Sequence, residues 1–303
     1  MSETFDAPPY EFLSIRKIRS MTIYHLVFES MLEIERFLEK NPPINTDSFS
    51  MMMSAKADDD FDCPPLPQPI AYCSGGYQEG LKNFMQMSRQ MEAITWQSYR
   101  QRTAAPAIVG SRPNVPAYIA GEPKSMYRLS RSVEKKVIKM FMNLSYNRNT
   151  TEGQILVRGV LTLNLIQLLE QNGYIVDFRA VTASTEKNET FICEIRMKKP
   201  GAKMDIGKVF YPMCGKSFLR RVISRLKESM PFEQEWGSTY GKVANQDFLR
   251  AVLNIDKSSL FIGTPQEMGI IGKNILEDAD AFLGTLNLGN RIAVPKYNVS
   301  KEN

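Results

Sequence analysis

Asn143, Ser145 and Asn147 stand two apart in the turn Asn143-Leu144-Ser145-Tyr146-Asn147-Arg148-Asn149-Thr150-Thr151. Side-chain oxygens at that spacing, in a loop after a buried strand, can converge on one point. Hard cations such as Mg²⁺ are held by oxygen sets of this kind, with most of the attraction supplied by a carboxylate. This loop has none, so neutral amide and hydroxyl oxygens would hold a cation weakly. Hydrogen bonds that fix the turn and cap the next helix are the preferred use of the three side chains. Ser145 as a nucleophile would need a base. The chain has one histidine, His25, within the strand-like run Met21–Phe28, which reads as a partly buried sheet residue. Carboxylates such as Asp177, Glu194 and Asp205 form no acid pair at catalytic spacing, so the expectation is a protein that is not an enzyme.

A second group is cationic. Arg220, Arg221, Arg225 and Lys227 fall on one predicted helix, Ser217–Ser229, with Phe218, Leu219, Val222, Ile223 and Leu226 inward. Outward arginines can contact phosphates or an acidic partner, giving affinity with little sequence readout. The net charge of +5 is mild, and no helix-turn-helix, finger or RNP pattern accompanies it. Cys63, Cys73, Cys193 and Cys214 include no C-x-x-C pair, which argues against structural zinc. Reduced thiols and a cytoplasmic location are expected. Asp58-Asp59-Asp60-Phe61-Asp62 lacks the glycine and terminal glutamate of an EF-hand loop. Ser74-Gly75-Gly76 is two glycines without the rest of a phosphate loop and reads as a tight turn.

The elements that position these residues follow from periodicity. The 303 residues, 43% hydrophobic and 23% charged, have globular composition with room for two domains. No run reaches the ~18 apolar residues of a membrane span, so no membrane partner is expected. Val133–Met142 suits a buried strand. Glu152–Asn172 is apolar nearly all round, as in a helix packed on several sides, and Asn172-Gly173 stops it. Tyr174–Val181 is the next strand. This order predicts a parallel βαβ unit, with the Asn143–Thr151 loop at the carboxyl edge where open α/β sheets bind ligands. Phe191–Met197 alternates apolar and charged residues and reads as a strand with one wet face, at an edge. Residues 30–40 and 78–100 read as helices, 44–69 as a flexible acidic loop, 101–125 as a linker rich in Pro and Gly, and 289–303 as a tail.

The block 133–285 resembles the von Willebrand factor A fold. The matching segments are Met142-Asn143-Leu144-Ser145-Tyr146-Asn147, the long helix with Arg158-Gly159-Val160, and Leu169-Glu170-Gln171-Asn172-Gly173-Tyr174-Ile175-Val176. In that family an Asp-x-Ser-x-Ser loop holds a divalent cation; here asparagines stand at the first and last positions, so the resemblance implies a degenerate metal loop. Ser74-Gly75-Gly76, Tyr118–Pro123 and Phe218-Leu219-Arg220-Arg221 resemble an uncharacterised family of bacteriophages and mobile elements. The expectation is therefore an α/β fold: a three-layer, mostly parallel sheet, von Willebrand A-like or Rossmann-like, over 113–303, with an α-rich elaboration over 1–112. It carries no cofactor beyond a weak Mg²⁺ site. The expected function is a non-catalytic protein-interaction protein of a phage or mobile element. A basic nucleic-acid-associated protein of phage replication or packaging is the alternative.

Overall fold

The computed structural model describes residues 3–4, 11–44, 63–92, 104–109, 112–129, 136–147, 149–233, 236, 242–273, 275–286 and 288. The acidic run at 58–62, residues 93–100 and the tail lie outside these.

Val137–Asn143 and Ile175–Glu186 (β7 and β8) pair in parallel, from Val137↔Ile175 to Asn143↔Val181. Between them runs the helix Glu152–Gln171 (α5). It starts at a capping box: the Thr151 hydroxyl accepts from Gln154 N at 3.3 Å, and Gln154 Oε1 accepts from Thr151 N at 2.9 Å. It stops at Asn172, followed by Gly173 at φ 89°, a left-handed turn that suits glycine.

A short strand, Leu260–Ile262 (β11), extends this unit in parallel on the far side of β7. On the other side, Glu189–Lys198 (β9) folds back on β8 as an antiparallel hairpin. Met21–Phe28 (β3) then pairs in parallel with β9, and Leu13–Ile18 (β2) pairs antiparallel with β3. Glu3–Thr4 (β1) and Lys242–Val243 (β10) add two-residue ladders on β2 and β8. The result is an open α/β sheet in the order β1-β2-β3-β9-β8-β7-β11. Strands from before residue 112 thus hydrogen-bond into the same sheet as those after it.

Strand alternation divides the side chains between two faces. Ile138, Met140, Met142, Phe178, Phe191, Cys193 and Leu26 pack on one face with Met31–Lys40 (α1), α5 and Ile206–Cys214 (α6). The opposite face carries Ile23, Phe141, Val181, Ile192 and Phe261, covered by Gln246–Val252 (α8). Phe191–Met197 is therefore an interior segment, not an edge. Its charged positions face the side of the sheet with fewer helices, where cross-strand partners neutralise them.

Helix α5 is buried all round because α6 packs on its outer side. The closest approach is at Gly159, where an added Cβ would stand 2.1 Å from the Cys214 sulfur. Gly159→Ala is expected to lower stability by ~1–3 kcal/mol through overpacking, outweighing the helix-propensity gain of about 1 kcal/mol. Adding Cys214→Ala should restore most of that loss, because the remaining contacts of the new Cβ are 3.7–3.8 Å. Urea unfolding of the two single variants and the double variant would check this, and strictly additive losses would refute the proposed clash.

The stretch read as a linker at 101–125 has structure of its own. Ala104–Ala107 (β4), Arg112–Pro113 (β5) and Met126–Leu129 (β6) form an antiparallel sheet in the order β4-β6-β5. The five-residue helix Val115–Ile119 (α4) sits between β5 and β6. Its prolines fit this arrangement: Pro106 lies on an edge strand, and Pro116 lies in the first helical turn, where a missing N–H costs nothing.

Candidate functional site

Parallel pairing brings the carboxyl ends of β7 and β11 side by side, with Met142 opposite Ile262. The loop predicted to hold a cation starts here. Asn143 and Ser145 are buried and Asn147 is exposed. Asn143 Oδ1 accepts from Ser145 N at 3.0 Å, and the Ser145 hydroxyl lies 2.9 Å from that of Thr182 on β8. Asn147 Oδ1 accepts from Asn149 N at 3.0 Å and from the Thr150 hydroxyl at 3.2 Å. Each side-chain oxygen of the N-x-S-x-N triplet thus already has a partner within the fold. Among the described residues, no group of three or more His, Cys, Asp or Glu is placed to hold a metal ion.

Below this loop lies a residue whose role sequence reading missed. Arg158, on α5, is fully buried. Its Nη1 donates to Asn143 O at 2.8 Å and to Gly263 O at 3.1 Å, tying together the ends of β7 and β11. Its Nε and Nη2, together with Asn143 Nδ2, are buried without a hydrogen-bond acceptor among the described residues. Burial pushes the guanidinium pKa down to about 10. The Cys214 thiol is pushed up by the same cause. The missed signal was compositional: Arg158 is the one charged residue between Gly153 and Leu169.

The basic helix differs from expectation. Its first part, Phe218–Ile223, is a π-helical turn, and Ser224–Glu228 (α7) continues as α-helix. A π turn shifts the register by one residue, so an outward face drawn at 3.6 residues per turn is misplaced. Arg221 and Lys227 are buried, and Arg220 and Arg225 are half-buried. Arg221 donates to Cys63 O, and Arg225 donates to the Ser229 hydroxyl at 2.7 Å. Lys227 Nζ lies 5.6 Å from the ring centroids of Phe191 and Trp236. The four cations do not share one exposed face.

His25 and the three named carboxylates are likewise engaged. On the face that carries α8, Arg16 Nη2 stands 3.3 Å from His25 Nδ1, and His25 Nε2 stands 3.3 Å from Glu194 Oε2. A guanidinium only donates, so His25 Nδ1 is the acceptor in the contact with Arg16. Arg179 pairs with the other Glu194 oxygen. Burial works to raise the Glu194 pKa, but hydrogen bonds from His25 and Arg179 outweigh it and hold the carboxyl below its usual range. Arg196 takes Asp177 through two 3.1 Å bonds and Glu29 at 2.7 Å. Asp205 caps α6 by accepting from Lys208 N. Ser74-Gly75-Gly76 is the junction between the helices Gln68–Gly75 (α2) and Gln78–Glu92 (α3), with Gly76 at φ 79°.

The segment that carries the small sheet exposes apolar side chains just after β4 and on α4. Ile108, Val109, Val115, Tyr118 and Ile119 are 70%, 78%, 54%, 74% and 79% exposed. Most other large apolar side chains in the described residues are packed away, so a run of five on one 26-residue segment is unusual. By sequence the same segment carries Arg112, Lys124 and Arg128 against Glu122.

Fold and site together define an open mixed α/β-sheet protein with a polar loop that lacks carboxylates at the carboxyl end of β7. Among the described residues no helix is long and apolar enough to cross a membrane. Residues 13–290 match the family described as Domain of unknown function (DUF7192), and the chain belongs to that family. No curated protein and no solved structure matches it.

Proposed function

We propose that this chain is a non-catalytic protein-interaction protein that docks a partner on the small sheet. The observation that carries the reading is the exposed set Ile108, Val109, Val115, Tyr118 and Ile119. Aromatic and aliphatic anchors of this kind gain binding energy by leaving water. The excess of basic residues on the same segment selects an acidic, apolar segment of another protein as the partner. The engagement of His25, Ser145, Asp177 and Glu194 in internal contacts supports a role without catalysis.

The β7–loop–α5–β8 unit is taken as a degenerate von Willebrand A-like core, on the strength of its parallel pairing and the position of the asparagine loop. The phage or mobile-element setting rests on the sequence resemblance of Ser74-Gly75-Gly76, Tyr118–Pro123 and Phe218–Arg221, and the cytoplasmic location on the spacing of the four cysteines. A photo-crosslinking amino acid at Tyr118, introduced in the native cell, tests the reading. A discrete adduct with a second protein is expected, and it should disappear when Val115 and Ile119 are both changed to Asp. Crosslinks confined to copies of this chain, or an adduct with nucleic acid, would overturn it.

A further inference from the structure

We propose that the carboxyl edge of the β7–β11 pair binds a small oxyanion, a carboxylate or phosphoryl group, held by Arg158 and Asn143. The inference is independent of the docking surface on the small sheet. It rests on which hydrogen-bonding groups remain at this strand end. Arg158 Nη1 is committed to Asn143 O and Gly263 O. What is left is the Nε–Nη2 edge of the guanidinium, the side-on fork that matches two oxygens of one carboxylate or phosphate. Both nitrogens are buried without an acceptor among the described residues. Asn143 is in the same position: its Oδ1 takes Ser145 N, and its Nδ2 is buried without an acceptor.

All three groups left over are donors, and the side-chain oxygens of Asn143, Ser145 and Asn147 are already engaged. The site therefore has the polarity opposite to a cation site. A metal ion would meet the guanidinium charge, whereas an oxyanion would neutralise it. Glu267 acts on Arg158 through space but gives it no hydrogen bond among the described residues, and buried donors left without an acceptor are costly until one arrives.

Nearby carboxylates have other duties. Glu152 lies 3.5 Å from Lys216 Nζ, and Glu267 Oε2 accepts from Thr264 N at 2.7 Å. The position, beyond the carboxyl ends of parallel strands, is where open α/β sheets place ligands. The loops after β7 and β11 are joined by a bond from Gln266 Nε2 to the Thr150 hydroxyl at 2.8 Å.

The test is calorimetry and thermal melting of the purified full chain at constant ionic strength. Separate titrations use sodium phosphate, sodium acetate, sodium citrate and magnesium chloride. Saturable one-site binding of phosphate or of a carboxylate is expected, with a rise in melting temperature; the phosphate and carboxylate arms tell the two sources apart. Arg158→Lys removes the fork and should weaken the response at least tenfold. Asn143→Asp keeps the acceptor for Ser145 N, removes the Nδ2 donor and puts a carboxylate on the residue whose backbone carbonyl the guanidinium holds. It should melt higher than the parent chain without added anion and lose the response to phosphate and carboxylates. The proposal is overturned by no response to any of the anions, by an undiminished response in both variants, or by a response to Mg²⁺ in their place. Because no partner is present, failure here leaves the crosslinking result standing.

Discussion

Glu189→Ala should lower the free energy of unfolding by at least ~3 kcal/mol. The Glu189 carboxylate is almost fully buried at the first residue of β9. Its Oε1 accepts from the Tyr24 hydroxyl at 2.9 Å and from Glu233 N at 2.8 Å, and its Oε2 accepts from Trp236 Nε1 at 3.0 Å. Alanine leaves three donors without this acceptor, and each orphaned buried group costs about 1–3 kcal/mol. Trp236 stacks on Phe232 at 4.4 Å, and Phe232 meets Tyr24 edge-on at 4.9 Å. The loss therefore reaches an aromatic cluster joining β3 to the segment after α7. Glu189→Gln keeps one acceptor oxygen and should lose about half as much. Urea unfolding followed by tryptophan fluorescence reads both variants. A Glu189→Ala variant within ~0.5 kcal/mol of the parent would show that the cluster holds without its acceptor.

Lys227→Met is expected to act in the other direction, raising stability at pH 7 by about 1–3 kcal/mol. Lys227 is buried against Phe191 and Trp236, with Arg220 adding like-charge repulsion and the Cys193 thiol beside it. Burial is the main cause that pushes its pKa down to about 7, whereas an unfolded lysine titrates near ~10.4. Between those values the unfolded chain binds the extra proton. Stability therefore rises with pH across the window, by up to ~1.4 kcal/mol per pH unit, and the full penalty is present below pH 7.

Burial raises the thiols Cys73, Cys193 and Cys214. Unfolded thiols ionise from about pH 8.5, so they oppose the lysine above that point. The cleanest window is pH 7 to 8.5, where the parent should gain stability and Lys227→Met should be flat. The methionine gives up the cation–π contact, worth about 0.5–2 kcal/mol, which keeps the net gain modest. A parent chain whose stability does not rise over this window would sink the assignment of a neutralised lysine.

What could be read from the sequence, and what could not, divides on the range of the interactions. The β7–α5–β8 unit was legible because its parts announce themselves locally: a continuous apolar run, a long apolar helix and the Asn172-Gly173 stop. Strand β9 was misread as an edge because Glu194 and Arg196 look solvated in isolation. Their partners His25, Arg179 and Asp177 lie on other strands, and His25 is 169 positions away. The burial of Arg221 and Lys227 was hidden by the π turn. The glycines and prolines of 101–125 read as a linker, whereas this stretch holds two short strands of the small sheet and a helix. Arg158 was visible as an isolated charge in an apolar helix, yet only the adjacency of β7 and β11 gives it a task.

The long-range pairing also affects how the molecule is made. Strand β3 meets its parallel neighbour only when Glu189–Lys198 arrives, with Thr22 opposite Glu189. At ~5–20 residues per second of ribosomal synthesis, the β2–β3 hairpin waits roughly 10–30 s with one backbone edge unpaired. During that interval an unpaired edge can recruit a neighbouring nascent chain. Folding therefore favours whatever covers that edge during the stretch of synthesis between Phe28 and Lys198.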